Sequence, residues 1–500
     1  MPLSPWHTVV PREMTAKQMD SADWAAYIRH EEAVFAEVRA RVTDQLPASA
    51  RIDGNRYYAE APIYPAAFET DWNRSYILEP DVPPRGAVVL LHGLTDSPYS
   101  LRHAATLYRD CGFVAVGIRL PGHGTVPGGL TRIRWKSWMA ATRLAVREAE
   151  RRIGPEAPLH LVGYSNGGTL AMKYTLDALE SAAHGDQATL RRPDRVVLLS
   201  PMIGLTRFAR YAGLASAPAI LPPFVKTAWK SILPEYNPFK YNSFPINGAR
   251  QSYRISTALQ EQIRRLYDDG TLLNLPPVLT FQSVMDNTVS TPAIFYYLYE
   301  HIPQNGSELV VFDVNRAAEL TPIMNPAARV TLQKILPPPP LQYRLTVVTN
   351  MVRDDLPQPE AQAVTFVPGA TRAYARNLGT RYPREIFSLS HVAVPFPIDD
   401  PLYGIAPPPG SASTFGVNLG TLSARGELGT LSVNLDALYR ITSNPFFDYV
   451  AERIAAGIDD PAPRPDVLPH IRREPDPALR EREEERLFLD VPHGGEELLP

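Results

Sequence analysis

The chain has little of what marks several large classes of protein. Among its 500 residues there is one cysteine, Cys111. An internal disulfide is therefore impossible, and a cysteine-built metal cluster is excluded with it. Cys111 follows a short helical pattern at 102–110 and reads as a buried thiol. An excess of one charge is also missing: 50 Lys and Arg stand against 53 Asp and Glu, a formal net charge of −3. That balance offers no electrostatic footprint for nucleic acid. No apolar run reaches the roughly 18 residues that would suggest a membrane span. The most apolar stretch, 213–225, is broken by prolines. The opening M-P-L-S-P-W-H carries neither the basic nor the apolar part of a signal peptide, so a cytoplasmic location is expected.

What is abundant is proline, at 51 residues. Proline pre-sets turns and breaks long helices, so many ordered loops are expected. With 44% hydrophobic and 21% charged residues the chain can bury a sizeable core. Over 15–45, Trp24, Tyr27, Ile28, Phe35, Val38 and Val42 recur at helical spacing, with Ser21 a candidate cap. The polar face mixes Arg29, Glu31, Glu32, Glu37 and Arg39. It predicts a helix docked on the main domain rather than on a membrane surface.

An alternation of apolar strands and helical segments follows. Strands are predicted at 87–91, 113–118, 160–162, 195–199, 277–282 and 308–312; helices at 100–109, 135–152, 168–179, 291–301 and finally 444–456. Continuously apolar strands alternating with helices mean a parallel sheet covered on both faces. The rhythm stops twice, after Ser200 and over 315–385, where Pro337–Pro340 precede L-T-V-V. Structureless loops of such length are improbable in a compact domain, so both interruptions are read as small subdomains. The tail from Asp459 is proline-rich and then runs R-E-R-E-E-E-R, a solvated charged segment.

The chemistry centres on residues 160–168, H-L-V-G-Y-S-N-G-G. A G-x-S-x-G turn between a strand and a helix lifts its serine, here Ser165, above the carboxyl edge of the sheet. Small neighbours, Gly163, Gly167 and Gly168, let the turn be sharp, and the helix N-terminus behind it is electropositive. A serine nucleophile needs a base, and the base needs an orienting carboxylate. Asp286 in S-V-M-D-N-T-V lies at a strand end on the same edge as Ser165, and His391 in F-S-L-S-H-V-A-V-P lies in a loop before the final helix. Asp313 is the substitute acid and His301 the substitute base, although His301 sits on a helix. The oxyanion of a tetrahedral intermediate would take backbone N–H groups from Asn166 and from Leu94, in the turn H-G-L-T-D-S-P. His92 and His123 read as histidines that brace loops.

These motifs, L-L-H-G-L-T-D-S-P, R-L-P-G-H-G and G-Y-S-N-G-G with the later Asp and His, resemble α/β-hydrolase-fold carboxylesterases of the bacterial esterase and monoacylglycerol lipase type. The resemblance covers about residues 80–315 and 385–460. It implies an α/β-hydrolase fold, activity on carboxylic esters, nucleophile Ser165, acid Asp286, base His391 and oxyanion amides Leu94 and Asn166. The gap between Asp286 and His391 is longer than in relatives. The expected organisation is an N-terminal helical arm (1–60), a core in three parts (61–200, 275–314 and 385–460), a cap (201–274), a second insertion (315–384) and the tail (461–500). Phe224 and Trp229, in an aromatic-rich cap, are candidate linings of an acyl pocket. The expected substrate is a small or lipid-like ester, with no cofactor and no metal. An amide or peptide hydrolase on the same fold, or a binding protein that has lost the chemistry, are the alternatives.

Overall fold

The computed structural model describes residues 3–184, 190–204, 227–317, 331–350, 360–421, 439–440, 442–458 and 488–489. In chain order its strands are β1 (Tyr76–Leu78), β2 (Gly86–Leu91), β3 (Phe113–Ile118), β4 (Leu159–Tyr164), β5 (Arg195–Leu199), β6 (Trp229–Ser231), β7 (Phe244–Pro245), β8 (Val278–Ser283) and β9 (Glu308–Phe312). Then come β10 (Arg344–Asn350), β11 (Glu360–Phe366), β12 (Ala373–Arg381) and β13 (Phe488–Leu489). All but β6 and β7 join one sheet, in the order β1-β3-β2-β4-β5-β8-β9-β10-β11-β12-β13. Neighbours from β3 through β10 pair in parallel, and the pairings outside them are antiparallel.

The parallel strands read as unbroken apolar runs because both faces are covered. In β2, Ala87, Val89 and Leu91 enter one hydrophobic core while Val88 and Leu90 enter the other. β4 and β5 split the same way, Leu161 and Val196 to the first core and Val162 and Val197 to the second. Trp135–Ile153 and Asn166–His184 bury their apolar faces in the first core, and Arg102–Asp110 and Phe447–Ala455 in the second. Strand order reverses its direction of growth between β2 and β4, the crevice where ligands bind in open α/β sheets. Ser165 follows β4 directly.

The structure differs from the sequence reading at several elements. The expected helix over 15–45 is two, Ala16–Ser21 and Trp24–Arg41. Asp23, not Ser21, caps the second: its carboxylate accepts the Ala26 N–H at 2.7 Å. Ser21 instead donates to the Lys17 carbonyl. The helix expected over 291–301 is a short α turn, Thr291–Ile294, followed by a π turn, Phe295–Tyr299. The second interruption is not a subdomain of its own. β10 pairs in parallel with β9, and β11 and β12 continue the same sheet, because the open edge of β9 offers unpaired backbone groups to the next extended segment. The first interruption is described from residue 227. Its helix Ile246–Asp268 lies against Asn166–His184, the helix that follows Ser165. Of the tail, only β13 lies within the described residues.

Candidate active site

The turn after β4 is shaped by steric exclusion. Ser165 adopts φ +55°, a left-handed conformation uncommon for a residue with a Cβ. Its N–H donates to the Leu199 carbonyl at 2.9 Å, and the Gly168 N–H returns to the Ser165 carbonyl at 3.0 Å. A Cβ on Gly167 would stand 1.8 Å from the Leu91 carbonyl oxygen, and one on Gly163 would stand 2.4 Å from the Gly167 oxygen. Glycine at both positions is what allows β2, β4 and the helix to meet beneath the serine.

Three residues far apart in the chain converge there. His391 Nε2 lies 2.9 Å from Ser165 Oγ, and His391 Nδ1 lies 2.7 Å from Asp286 Oδ2. An ionised carboxylate only accepts, so Nδ1–H donates to Asp286 and Nε2 is left to accept the serine hydroxyl proton. Asp286 is fixed in turn by the Thr288 and Val289 N–H groups on Oδ1, at 2.8 and 3.0 Å, and by Gln282 Nε2 on Oδ2. Burial alone would raise its pKa. The neighbouring His391 and the backbone donors outweigh that and hold the carboxyl below the usual aspartate value. Ser165 and His391 are each 5% exposed, so the hydrogen-bonded chain is shielded from bulk water.

The substitutes are placed elsewhere. Asp313 accepts from Thr349 Oγ1 and Arg316 Nε, and His301 stacks edge-on against Tyr267. His92 and His123 are buried at the base of the site with rings 5.0 Å apart. His92 Nδ1–H donates to the Gly93 carbonyl and Nε2 accepts the Leu120 N–H. That pattern requires a neutral imidazole, and burial pushes the pKa of His92 down to about 3. His123 is likewise pushed down to about 3.

Of the oxyanion candidates, Asn166 directly follows the serine and Leu94 follows Gly93, which packs against that serine. Asn166 is the first residue of its helix, so its N–H has no carbonyl one turn earlier within the helix. Gly93, which precedes Leu94, packs so closely that a Cβ there would meet Ser165 Cβ at 3.3 Å. Of the candidate pocket residues, Phe224 lies outside the described residues. Trp229 sits in β6 with its ring edge-on to His7 at 5.0 Å, on the N-terminal arm. A cleft of about 270 Å³ opens beside His391, lined among others by Met285, Phe387, Tyr439 and Arg440.

Sequence reasoning missed some neighbours of the relay. The Tyr164 ring lies 5.4 Å from the His391 ring, and its hydroxyl donates to the His391 carbonyl. Tyr164 stood in view inside G-Y-S-N-G. The residues that hold the His391 loop, Ser283 and Asn315, carried no local signal.

Residues 82–313 match the family model described as serine aminopeptidase, S33. The chain has an α/β-hydrolase fold, with its mostly parallel sheet and the sharp turn from β4 into the helix at Ser165. A thermostable monoacylglycerol lipase from Bacillus sp. (strain H-257) is 32% identical over 85 residues, 17% of this chain. The matched stretch spans 33% of that lipase's length. Among solved structures, a soluble variant of monoglyceride lipase from Saccharomyces cerevisiae is 14% identical over 47% of this chain and 81% of its own, with a TM-score of 0.35. A highly thermostable carboxyl esterase from Bacillus coagulans is 15% identical over 47% of this chain and 83% of its own, also with a TM-score of 0.35.

Proposed function

We propose that this α/β-hydrolase is a serine hydrolase that cleaves carboxylic esters. The observation that carries the reading is the Ser165–His391–Asp286 chain of hydrogen bonds, at 2.9 and 2.7 Å. Ser165 Oγ attacks the ester carbonyl as His391 Nε2 takes its proton, and the carbonyl oxygen becomes an oxyanion between the amides of Leu94 and Asn166. His391 then gives that proton to the departing alcohol, leaving an acyl-enzyme. Water attacks the acyl carbonyl as His391 Nε2 takes its proton, and His391 returns that proton to Ser165 Oγ as the bond from Oγ to the acyl carbon breaks and the acid leaves. Asp286 keeps Nδ1 protonated and stabilises the imidazolium formed in each half-reaction. The cap, with Phe224 as the candidate lining, would set acyl preference; Trp229 packs against His7 of the N-terminal arm instead.

The similarity to a monoacylglycerol lipase supports an ester substrate. The description of the matching family, serine aminopeptidase, favours a second reading, hydrolysis of an amide next to a free amine. A fluorophosphonate probe followed by peptide mass spectrometry tests the nucleophile, and a panel of p-nitrophenyl esters and aminoacyl anilides tests the substrate. The adduct is expected on Ser165, with turnover of the esters. An adduct on another serine overturns the mechanism, and turnover of anilides alone overturns the ester reading.

A further inference from the structure

The cap sends a lysine into the base of the site. Lys240 has a side chain 14% exposed, and its Nζ lies 3.7 Å from Asp96 Oδ1. Around the ammonium stand the rings of Tyr164, Phe396 and Tyr403, with centroids 5.2, 5.3 and 5.5 Å away. The backbone that delivers it is itself held: Arg56 Nη1 donates to the carbonyls of Asn237 and Lys240, and Asn237 Oδ1 accepts the Lys240 N–H. Phe239 stacks on Tyr99 at 4.1 Å. Next in the chain, the Tyr241 N–H donates to the Thr95 carbonyl at 2.8 Å.

Asp96, the partner of Lys240, belongs to the turn that carries Leu94. Its Oδ2 accepts the Gly93 N–H at 3.2 Å and its Oδ1 accepts the Ser100 hydroxyl at 2.7 Å. The side chain of Asp96 is 2% exposed. A carboxylate is a suitable clamp for such a turn, since it takes two donors at once. It is also a liability, because a buried negative charge beside a developing oxyanion repels it. Burial holds the pKa of Lys240 below the usual lysine value, and Asp96 is the main group that opposes that shift and favours the ammonium.

We infer that Lys240 is a positioning residue of the proposed hydrolysis: it neutralises Asp96, so that the carboxylate can clamp the Gly93–Leu94 turn without opposing the oxyanion. The inference rests on the ester-hydrolase reading. It makes the cap part of the catalytic framework as well as a cover over it.

The experiment compares K240M, D96N and the double variant D96N/K240M by p-nitrophenyl ester kinetics and by inhibition with a trifluoromethyl ketone, whose hemiketal oxygen mimics the oxyanion. K240M leaves a lone buried carboxylate; it is expected to lower kcat about 10- to 100-fold with KM within about twofold, and to weaken the ketone by a similar factor. In D96N/K240M the charge is gone and an acceptor for the Gly93 N–H remains, so kcat should recover at least about fivefold over K240M. A lysine that only packs the cap predicts the opposite, a double variant as slow as K240M or slower. That result, or a K240M enzyme within twofold of the parent in kcat, overturns the inference. If K240M does not fold, K240Q carries the same comparison. Fluorophosphonate labelling of the unaltered enzyme separates the two failures: a parent that neither labels at Ser165 nor turns over esters fails the function, not the lysine.

Discussion

Two loops meet at the candidate site, and they are built on opposite principles. The serine turn is fixed by what cannot fit: its glycines leave no room for a Cβ, and the chain has a single path between β4 and its helix. The histidine loop is fixed by what it can reach. Asn315 Nδ2 donates to the carbonyls of Pro383 and Ile386, Ser283 Oγ to that of Leu389, Ser390 Oγ to that of Arg440, and Tyr164 Oη to that of His391. One loop is specified by small residues close in sequence that pack against β2 and β5; the other borrows its shape through hydrogen bonds from β4, β8, the segment after β9 and the residues before the last helix. Steric specification fails all at once, whereas a distributed set of hydrogen bonds weakens step by step.

The relay that joins the loops should hide this contrast, because it acts as a unit. Ser165→Ala and His391→Ala are each expected to lower kcat on the order of 10⁴- to 10⁶-fold, and the double variant to be no worse than either. Asp286→Asn should cost about 10⁴-fold through a misheld imidazole. The melting temperature of Ser165→Ala should stay within a few degrees of the parent. If Asp313→Asn is the damaging change and Asp286→Asn is mild, the acid has been misassigned.

The same contrast explains how much was legible. G-Y-S-N-G-G announces its turn because small residues clustered around one serine mark a sharp strand-to-helix turn, even though what they pack against is distant in the chain. The alternation of apolar runs announces a two-faced sheet, since each run needs cover on both sides. Asp286 and His391 could be chosen because strand ends on one sheet edge are a matter of topology. The union of β10–β12 with the main sheet could not be read, because it depends on an open edge of β9 that no local pattern records. Lys240 and Asn315 were hidden likewise, as their partners are distant in the chain. Gly167→Ala breaks the steric side of the comparison: its Cβ would meet the Leu91 carbonyl oxygen at 1.8 Å. The expected cost is about 3 kcal/mol, seen as a lower midpoint in denaturant together with lost activity. A variant of parental stability would mean that the turn has room to give.

A third turn, at His92 and Gly93, mixes the two principles and supplies a dependence on pH. His92 is held neutral, with its pKa pushed to about 3 by burial, whereas an unfolded histidine titrates near 6.5. Between those values the unfolded chain binds a proton that the folded chain refuses, so stability falls as pH drops from 6.5 towards 3. The expected share of His92 at pH 5 is about 2 kcal/mol. Denaturant unfolding at pH 7 and pH 5 should show a loss that is smaller by about this amount in His92→Gln. An equal loss in both proteins would place the acid sensitivity in other groups.

The histidine loop should give the smallest single effects, and their pattern tests the comparison most finely. Ser283 is fully buried; its hydroxyl donates to the Leu389 carbonyl at 2.7 Å and accepts the Met285 N–H at 3.3 Å. Ser283→Ala removes one support and leaves the Leu389 carbonyl without that donor, at a cost of about 1 kcal/mol. The loop retains Asn315, Ser390 and Tyr164, so His391 should shift little and kcat should fall less than about tenfold. Asn315→Ala removes two donors at once, and the double variant should lose more kcat than the two single losses multiplied together, as the remaining bonds no longer determine where the imidazole stands. Steady-state kinetics on one ester, with thermal melts of the same samples, reads both quantities. If Ser283→Ala alone abolishes turnover in a folded protein, the loop is as brittle as the serine turn and the distinction between them is lost.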